Sequence, residues 1–121
     1  MEHITDIEQE LRRYEAEIYS ASTEYKNLVQ DAARKRAAYD VSFAGEILKL
    51  REDKDLKATV PEKEAIAVKN VQTLLTDCRI AESLAEGSKR HLVTLQSLLS
   101  SVQTRASLIK TERSLANMMA G

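Results

Sequence analysis

Apolar residues recur at alternating steps of three and four along most of the chain, and this spacing constrains the fold more than any other feature. In the first third the repeat consists of Ile4, Ile7, Leu11, Tyr14, Ile18, Ala21, Tyr25, Leu28 and Ala32. With one stutter near the basic run it continues through Arg36, Tyr39, Phe43, Ile47 and Leu50. Such a heptad repeat is typical of a helix that packs lengthwise against another helix. The sequence therefore predicts a first helix over about 4–54.

The repeat breaks once, in the polar stretch that follows residue 51. The next segment, Thr59-Val60-Pro61-Glu62, has the pattern of a capping box with proline in the first helical turn. We therefore expect a turn at about 55–59 and a second helix over about 60–116, with Thr59 as its N-cap. The repeat of this second helix consists of Ala67, Val71, Leu74, Cys78, Ala81, Ala85, Ser88, Leu92, Leu95, Leu99, Val102, Ala106 and Ile109.

Two long helices joined by a short turn must run antiparallel. The chain has only three glycines and one proline, too few for the turns of a β-sandwich or barrel, and its charged fraction of 31% is typical of solvated helices. The predicted fold is all-α: a long antiparallel two-helix hairpin, a coiled coil that forms a single domain over 1–121. The acidic first twenty residues would then lie beside the basic end of the second helix.

The second helix carries apolar residues beyond those of its repeat, namely Ile66, Ile80, Leu84, Leu98, Leu108 and Leu115. They widen its apolar face past what one partner helix can cover. We therefore expect a homo-oligomer that assembles through the second helix. The expected interface residues are Leu84, Leu98, Val102, Ala106, Leu108, Ile109 and Leu115.

Catalytic and metal-binding signatures are absent from the sequence. There is no glycine-rich phosphate loop, no nucleophile elbow and no cluster of cysteine and histidine at ligand spacing, and Cys78 is the one cysteine. The sequence therefore predicts a protein that is not an enzyme and that holds no metal or cofactor. The start lacks a secretory signal and no segment is apolar enough to cross a bilayer, so we expect a cytoplasmic protein without membrane contact.

The run Arg34-Lys35-Arg36 interrupts the first repeat, and its three cations cover so wide an arc that one must point towards the helix partner. Two interpretations stay open. The run can be a solvated register break in which long side chains cover neighbouring alanines. Alternatively, the run forms a phosphate-binding patch together with Lys26. Because the net charge of the chain is −1, such a patch must be a local feature of its surface.

A row of hydroxyl side chains on the second helix has the same ambiguity. The row consists of Thr94, Ser97, Ser101, Thr104 and Thr111. Small uncharged residues allow a close helix contact, which favours a packing face in the oligomer. The flanking cations Arg90, Arg105 and Lys110 also permit a surface for phosphates.

The stretches 32–40 and 102–110, and the ending 115–121, resemble the small helical UvsY-type recombination mediators of bacteriophages. The resemblance implies a protein that binds single-stranded DNA and helps load a RecA-type recombinase onto strands coated by single-strand-binding protein, in the host cytoplasm if phage-encoded. It implies phosphate contacts by Lys26, Arg34, Lys35 and Arg36. It also implies protomer contacts by Leu98, Val102, Ala106, Leu108, Ile109 and Leu115. The alternative is a structural or adaptor coiled coil of the phage assembly or scaffold type, with protein partners only.

Overall fold

The computed structural model describes residues 3–120, which form three α-helices. These are α1 (Ile4–Glu52), α2 (Val60–Asn70) and α3 (Gln72–Ala120). No β-strand occurs among residues 3–120, so the predicted all-α class is confirmed.

The start of α2 has the local structure that the capping box predicts. Thr59 has an extended backbone, with φ −74° and ψ 165°, and its side-chain oxygen accepts a hydrogen bond of 3.3 Å from the backbone N–H of Glu62. Pro61 lies in the first turn, where a helix does not need its missing N–H. The N-cap assignment of Thr59 is therefore confirmed.

The second half of the chain differs from the single helix that we expected over about 60–116. A one-residue interruption at Val71, with φ −112° and ψ 20°, separates α2 from α3. The hydrogen bonds continue across it, because the Val71 N–H donates to Ala67 and its carbonyl accepts from Leu75. Asn70 and Val71 both have low helix propensity, so a local unwinding here costs little. The helix also continues past residue 116, to Ala120.

The chain divides into two compact units, to both of which α1 and α3 contribute. Unit 1 comprises the described residues of Met1–Tyr25 and Ser88–Gly121, and unit 2 is Lys26–Gly87. In unit 1 the buried residues are Ile7, Ala21, Leu95, Val102 and Ala106, and three of them, Ile7, Val102 and Ala106, pack together as one cluster. Leu11, Tyr14 and Ile109 pack against this cluster.

In unit 2, α1 runs antiparallel to α2 and α3. Arg36 of α1 contacts Glu82 of α3. Glu46 lies later than Arg36 on α1, but it accepts a hydrogen bond of 3.0 Å from Asn70, which comes before Glu82 in the chain. The buried residues of this unit are Ala32, Ala67, Val71, Cys78, Ala81 and Ala85. Most of them are alanines, which allows the helices of the unit to approach closely.

The heptad positions predicted from the sequence are all buried or half-buried, so this part of the analysis is confirmed residue by residue. Three of the expected interface residues lie in or against this buried part of unit 1: Val102 and Ala106 belong to the cluster with Ile7, and the half-buried Ile109 packs against it. A side chain that is buried within the protomer has little surface left for a second one.

We predict that I7A destabilises the protein by about 2–5 kcal/mol, because it removes a core side chain and leaves a cavity. Ile7 is 1% exposed and contacts the buried cluster of α3 directly. The matched control is Y19A, on the same helix of unit 1 but 78% exposed, which should change stability by no more than about 0.5 kcal/mol. Urea unfolding followed by circular dichroism measures both, and equal effects would contradict the core assignment.

Candidate nucleic-acid interface

Four of the seven candidate cations lie on α1 within unit 2, and the structure divides them by their ion pairs. The ammonium group of Lys35 lies 3.1 Å from the carboxylate of Asp31, one turn earlier. The guanidinium of Arg36 is paired with Glu82 of α3. Lys26 and Arg34 are exposed and form no ion pair within residues 3–120. These two cations are therefore the ones that phosphate groups reach without competition from a carboxylate.

Arg36 is the member of the basic run that points towards the helix partner, as the width of the run requires. It occupies a repeat position, and it is half-buried. Its guanidinium lies 5.7 Å from the centre of the Tyr39 ring, which itself stacks on Phe43 at 5.8 Å. The aromatic ring and the Glu82 carboxylate together replace part of the water that the guanidinium loses.

Arg36, Glu82 and Cys78 form a hydrogen-bonded network between α1 and α3 inside unit 2. The thiol of the buried Cys78 donates to the Glu82 carboxylate at 3.1 Å, and Arg36 donates to the same oxygen. Burial, reinforced by the bond to Glu82, raises the pKa of the Cys78 thiol above its usual value. Cys78 therefore stays a protonated donor and is a small buried residue, not a reactive thiol.

The carboxylate of this network is the residue that sequence reasoning missed. The hydrogen bonds from Cys78 and Arg36 lower the pKa of Glu82, and the bond to Glu82 raises the pKa of Arg36. Glu82 therefore neutralises Arg36 at neutral pH. The four-residue spacing from Cys78 places Glu82 near the repeat, but spacing along α3 does not identify the α1 residue that Glu82 contacts.

The other three candidate cations lie on α3 in unit 1, and the structure does not bring them together. Arg105 is half-buried and its guanidinium donates to Glu10 of α1 at 3.0 Å. Arg90 and Lys110 are exposed. They are separated by about 30 Å, because a helix rises about 1.5 Å per residue. A single phosphate group cannot contact both.

The row of hydroxyl side chains on α3 is exposed, but several of its members are directed back to their own helix. Thr94, Thr104 and Thr111 each donate to the backbone carbonyl four residues earlier, at 3.0 Å. Such bonds occupy the hydroxyl proton and leave the methyl group outward. The row therefore presents a weakly polar surface of small side chains, with few hydroxyl groups left to donate hydrogen bonds to phosphate.

The remaining expected interface residues are exposed, unlike Val102 and Ala106 in the buried cluster of unit 1 and the half-buried Ile109 beside it. Leu84, Leu98, Leu108 and Leu115 all lie on α3 with between 41% and 58% of their surface accessible. Leucines exposed to this extent on one helix leave apolar area in water that a partner could bury.

Within residues 3–120 no group of three histidine, cysteine, aspartate or glutamate residues is placed to hold a metal ion. The same described part of the chain contains no helix with the length and hydropathy that crossing a bilayer requires.

Comparisons of the chain with protein-family models, with curated proteins and with solved structures found no match.

We predict that the network makes Glu82 a source of acid sensitivity. Because the pKa of Glu82 is lowered on folding, its stabilising contribution is present above the ordinary glutamate pKa and is lost as the pH falls through the folded value. The variant E82Q should therefore lose less stability than the wild type when the pH falls from about 5 to about 3. Urea midpoints measured across this range give the comparison.

The matched control is E64Q, which changes an exposed carboxylate of α2 in the same unit. It should leave the slope of stability against pH close to that of the wild type. If E82Q and E64Q gave the same slope, the network would make no special contribution.

Proposed function

We propose that the protein is a non-catalytic recombination mediator, which binds single-stranded DNA without sequence preference and helps load a RecA-type recombinase onto strands coated by single-strand-binding protein. The observation that carries the proposal is the exposure of Lys26 and Arg34, neither of which has a carboxylate partner within residues 3–120. The parts of the proposal that concern the recombinase, the coating protein and the cytoplasmic location rest on the likeness of 32–40 and 102–110 to UvsY-type mediators.

The positions of the two cations suit a nucleic-acid backbone. Lys26 and Arg34 are eight residues apart on α1, which corresponds to about 12 Å along the helix axis. Asp31, the carboxylate between them, is compensated by Lys35. This part of α1 therefore offers two uncompensated cations to phosphates of one strand. We expect weak, sequence-independent and salt-sensitive binding.

Binding at this strength becomes useful only if several protomers contact one strand. Linked sites raise the overall affinity because the second contact is intramolecular. We therefore retain the predicted homo-oligomer as part of the proposal, and the exposed Leu98, Leu108 and Leu115 of α3 support it. The proposed protomer is the long two-helix hairpin, supported by the antiparallel contacts inside unit 2 and by the contact of Glu10 with Arg105 inside unit 1.

A structural or adaptor coiled coil is the second candidate, because three candidate cations are already compensated by carboxylates while the leucines of α3 are not covered. It predicts that the triple variant R34S/K35S/R36S retains function. It also predicts that L98E or L108E abolishes assembly, since a charge cannot be buried without a partner.

We predict that the wild type retains an oligonucleotide on a filter at low salt, and that the double variant K26A/R34A binds at least about ten-fold more weakly. With two phosphate contacts per protomer, the logarithm of the binding constant should fall by about 1.4 for each tenfold rise in salt. The slope should be close to zero in the variant.

The control variant is K69A, which removes an exposed cation of α2 in the same unit. It should bind within about two-fold of the wild type, since one remote charge is screened. A wild-type protein that retains no DNA at low salt, or a complex that salt does not weaken, would contradict the mediator function and favour the adaptor.

A further inference from the structure

One uncovered surface of unit 2 lies on α3, on a side that its heptad repeat does not use. A shallow hollow of about 470 Å³ is lined by Thr76, Arg79, Ile80, Ser83 and Leu84. Ile80 and Leu84 are each 55% exposed. We name this surface the Ile80 face and include in it Glu86 and Gly87, which follow within the next turn. All of its residues belong to unit 2.

Gly87 is a residue that the protomer itself does not require. It lies in the interior of α3, where glycine is less favourable than alanine. A Cβ atom added at Gly87 would meet no other atom within 4 Å, so the packing of the protomer would accept a side chain. Glycine at a helical position is useful where another backbone approaches closely. The room above Gly87 is therefore suited to a helix from outside the protomer.

The charges of the Ile80 face are complementary to those of a second Ile80 face. Arg79 lines the hollow, and Glu86 follows it by seven residues, which places the two on the same side of α3 with Ser83 between them. Neither has an ion-pair partner among residues 3–120. When two copies of a helix pack antiparallel about a twofold axis near Ser83, Arg79 of each copy meets Glu86 of the other.

The sizes of the side chains are complementary in the same arrangement. Ile80, the large residue in the middle of the face, meets Ser83 and Leu84 of the second copy. Thr76 meets Gly87 of the second copy, where the missing side chain allows the two backbones to approach. Because the same contacts occur twice, the arrangement has the self-complementarity of an isologous interface.

We infer that the Ile80 face binds the Ile80 face of a second copy of this chain, in an antiparallel α3–α3 contact with two reciprocal Arg79–Glu86 ion pairs. This contact defines one interface of the assembly. It rests on the self-association in the proposed function and is independent of DNA binding.

The test is a charge exchange, measured as the dissociation constant of the dimer by sedimentation equilibrium. In R79E, and separately in E86R, like charges face each other twice, so each variant should dimerise at least about ten-fold more weakly than the wild type. In the double variant R79E/E86R, opposite charges face each other again, and the dissociation constant should return to within about three-fold of the wild-type value. If the single variants dimerised weakly only because their fold was damaged, the second substitution would not restore dimerisation.

A second variant tests the close approach at Gly87. G87A should weaken dimerisation about ten-fold, because a methyl group is inserted where the two helices touch. The control is G45A on α1, where an added Cβ also meets nothing within 4 Å. Both substitutions should raise the thermal midpoint of the isolated protomer, since alanine favours the helix. Only G87A should change the dissociation constant.

The inference is overturned if the wild type is monomeric at all concentrations, if R79E and E86R leave the dissociation constant unchanged, or if the double variant is as weak as the single ones. DNA retention is measured on the same preparations. A protein that dimerises as described but retains no DNA contradicts the mediator function alone. A protein that binds DNA but does not respond to the charge exchange contradicts this interface alone.

Discussion

The burial of one face of each helix is the interaction on which the structure depends. Helices are marginal in water without tertiary contacts, because ordering the backbone costs more free energy than its hydrogen bonds return. In unit 1 the large side chains of Ile7, Leu95 and Val102 provide this burial. In unit 2 the buried residues are mostly alanines, together with Cys78. The second unit therefore depends more on close helix contact and on polar links between its helices.

Those polar links explain why some candidate cations are paired with carboxylates and others are not. Arg36 lies at a repeat position and is held by Glu82, and Arg105 is held by Glu10 in unit 1. A cation at the edge of a buried face needs a carboxylate to compensate for the water it loses. Lys26 and Arg34 lie away from the buried face and need no such partner. The same constraint that stabilises the helix contacts thus selects which charges stay accessible to phosphate groups.

The exposed apolar side chains are distributed differently from the exposed cations Lys26 and Arg34, which lie on α1. These apolar side chains are concentrated on α3, where Ile80, Leu84, Leu98 and Leu108 lie beside the buried repeat and not within it. A helix that packs against one neighbour covers only part of its circumference. Assembly of several copies is the means by which such a helix would bury the remainder, and both the mediator and the adaptor function require it.

The helical class, the buried positions of the helices and the N-cap of α2 could be predicted from the periodicity and local signals of the sequence. The steps of three and four identified the buried residues of the helices, and the capping box located Thr59, because both patterns depend only on neighbours along the chain. Tertiary structure decided the rest. The pairings of Glu82 with Arg36 and of Glu10 with Arg105 depend on which side chains meet across two helices. Spacing along one helix gives the direction of a side chain but not the identity of the residue opposite.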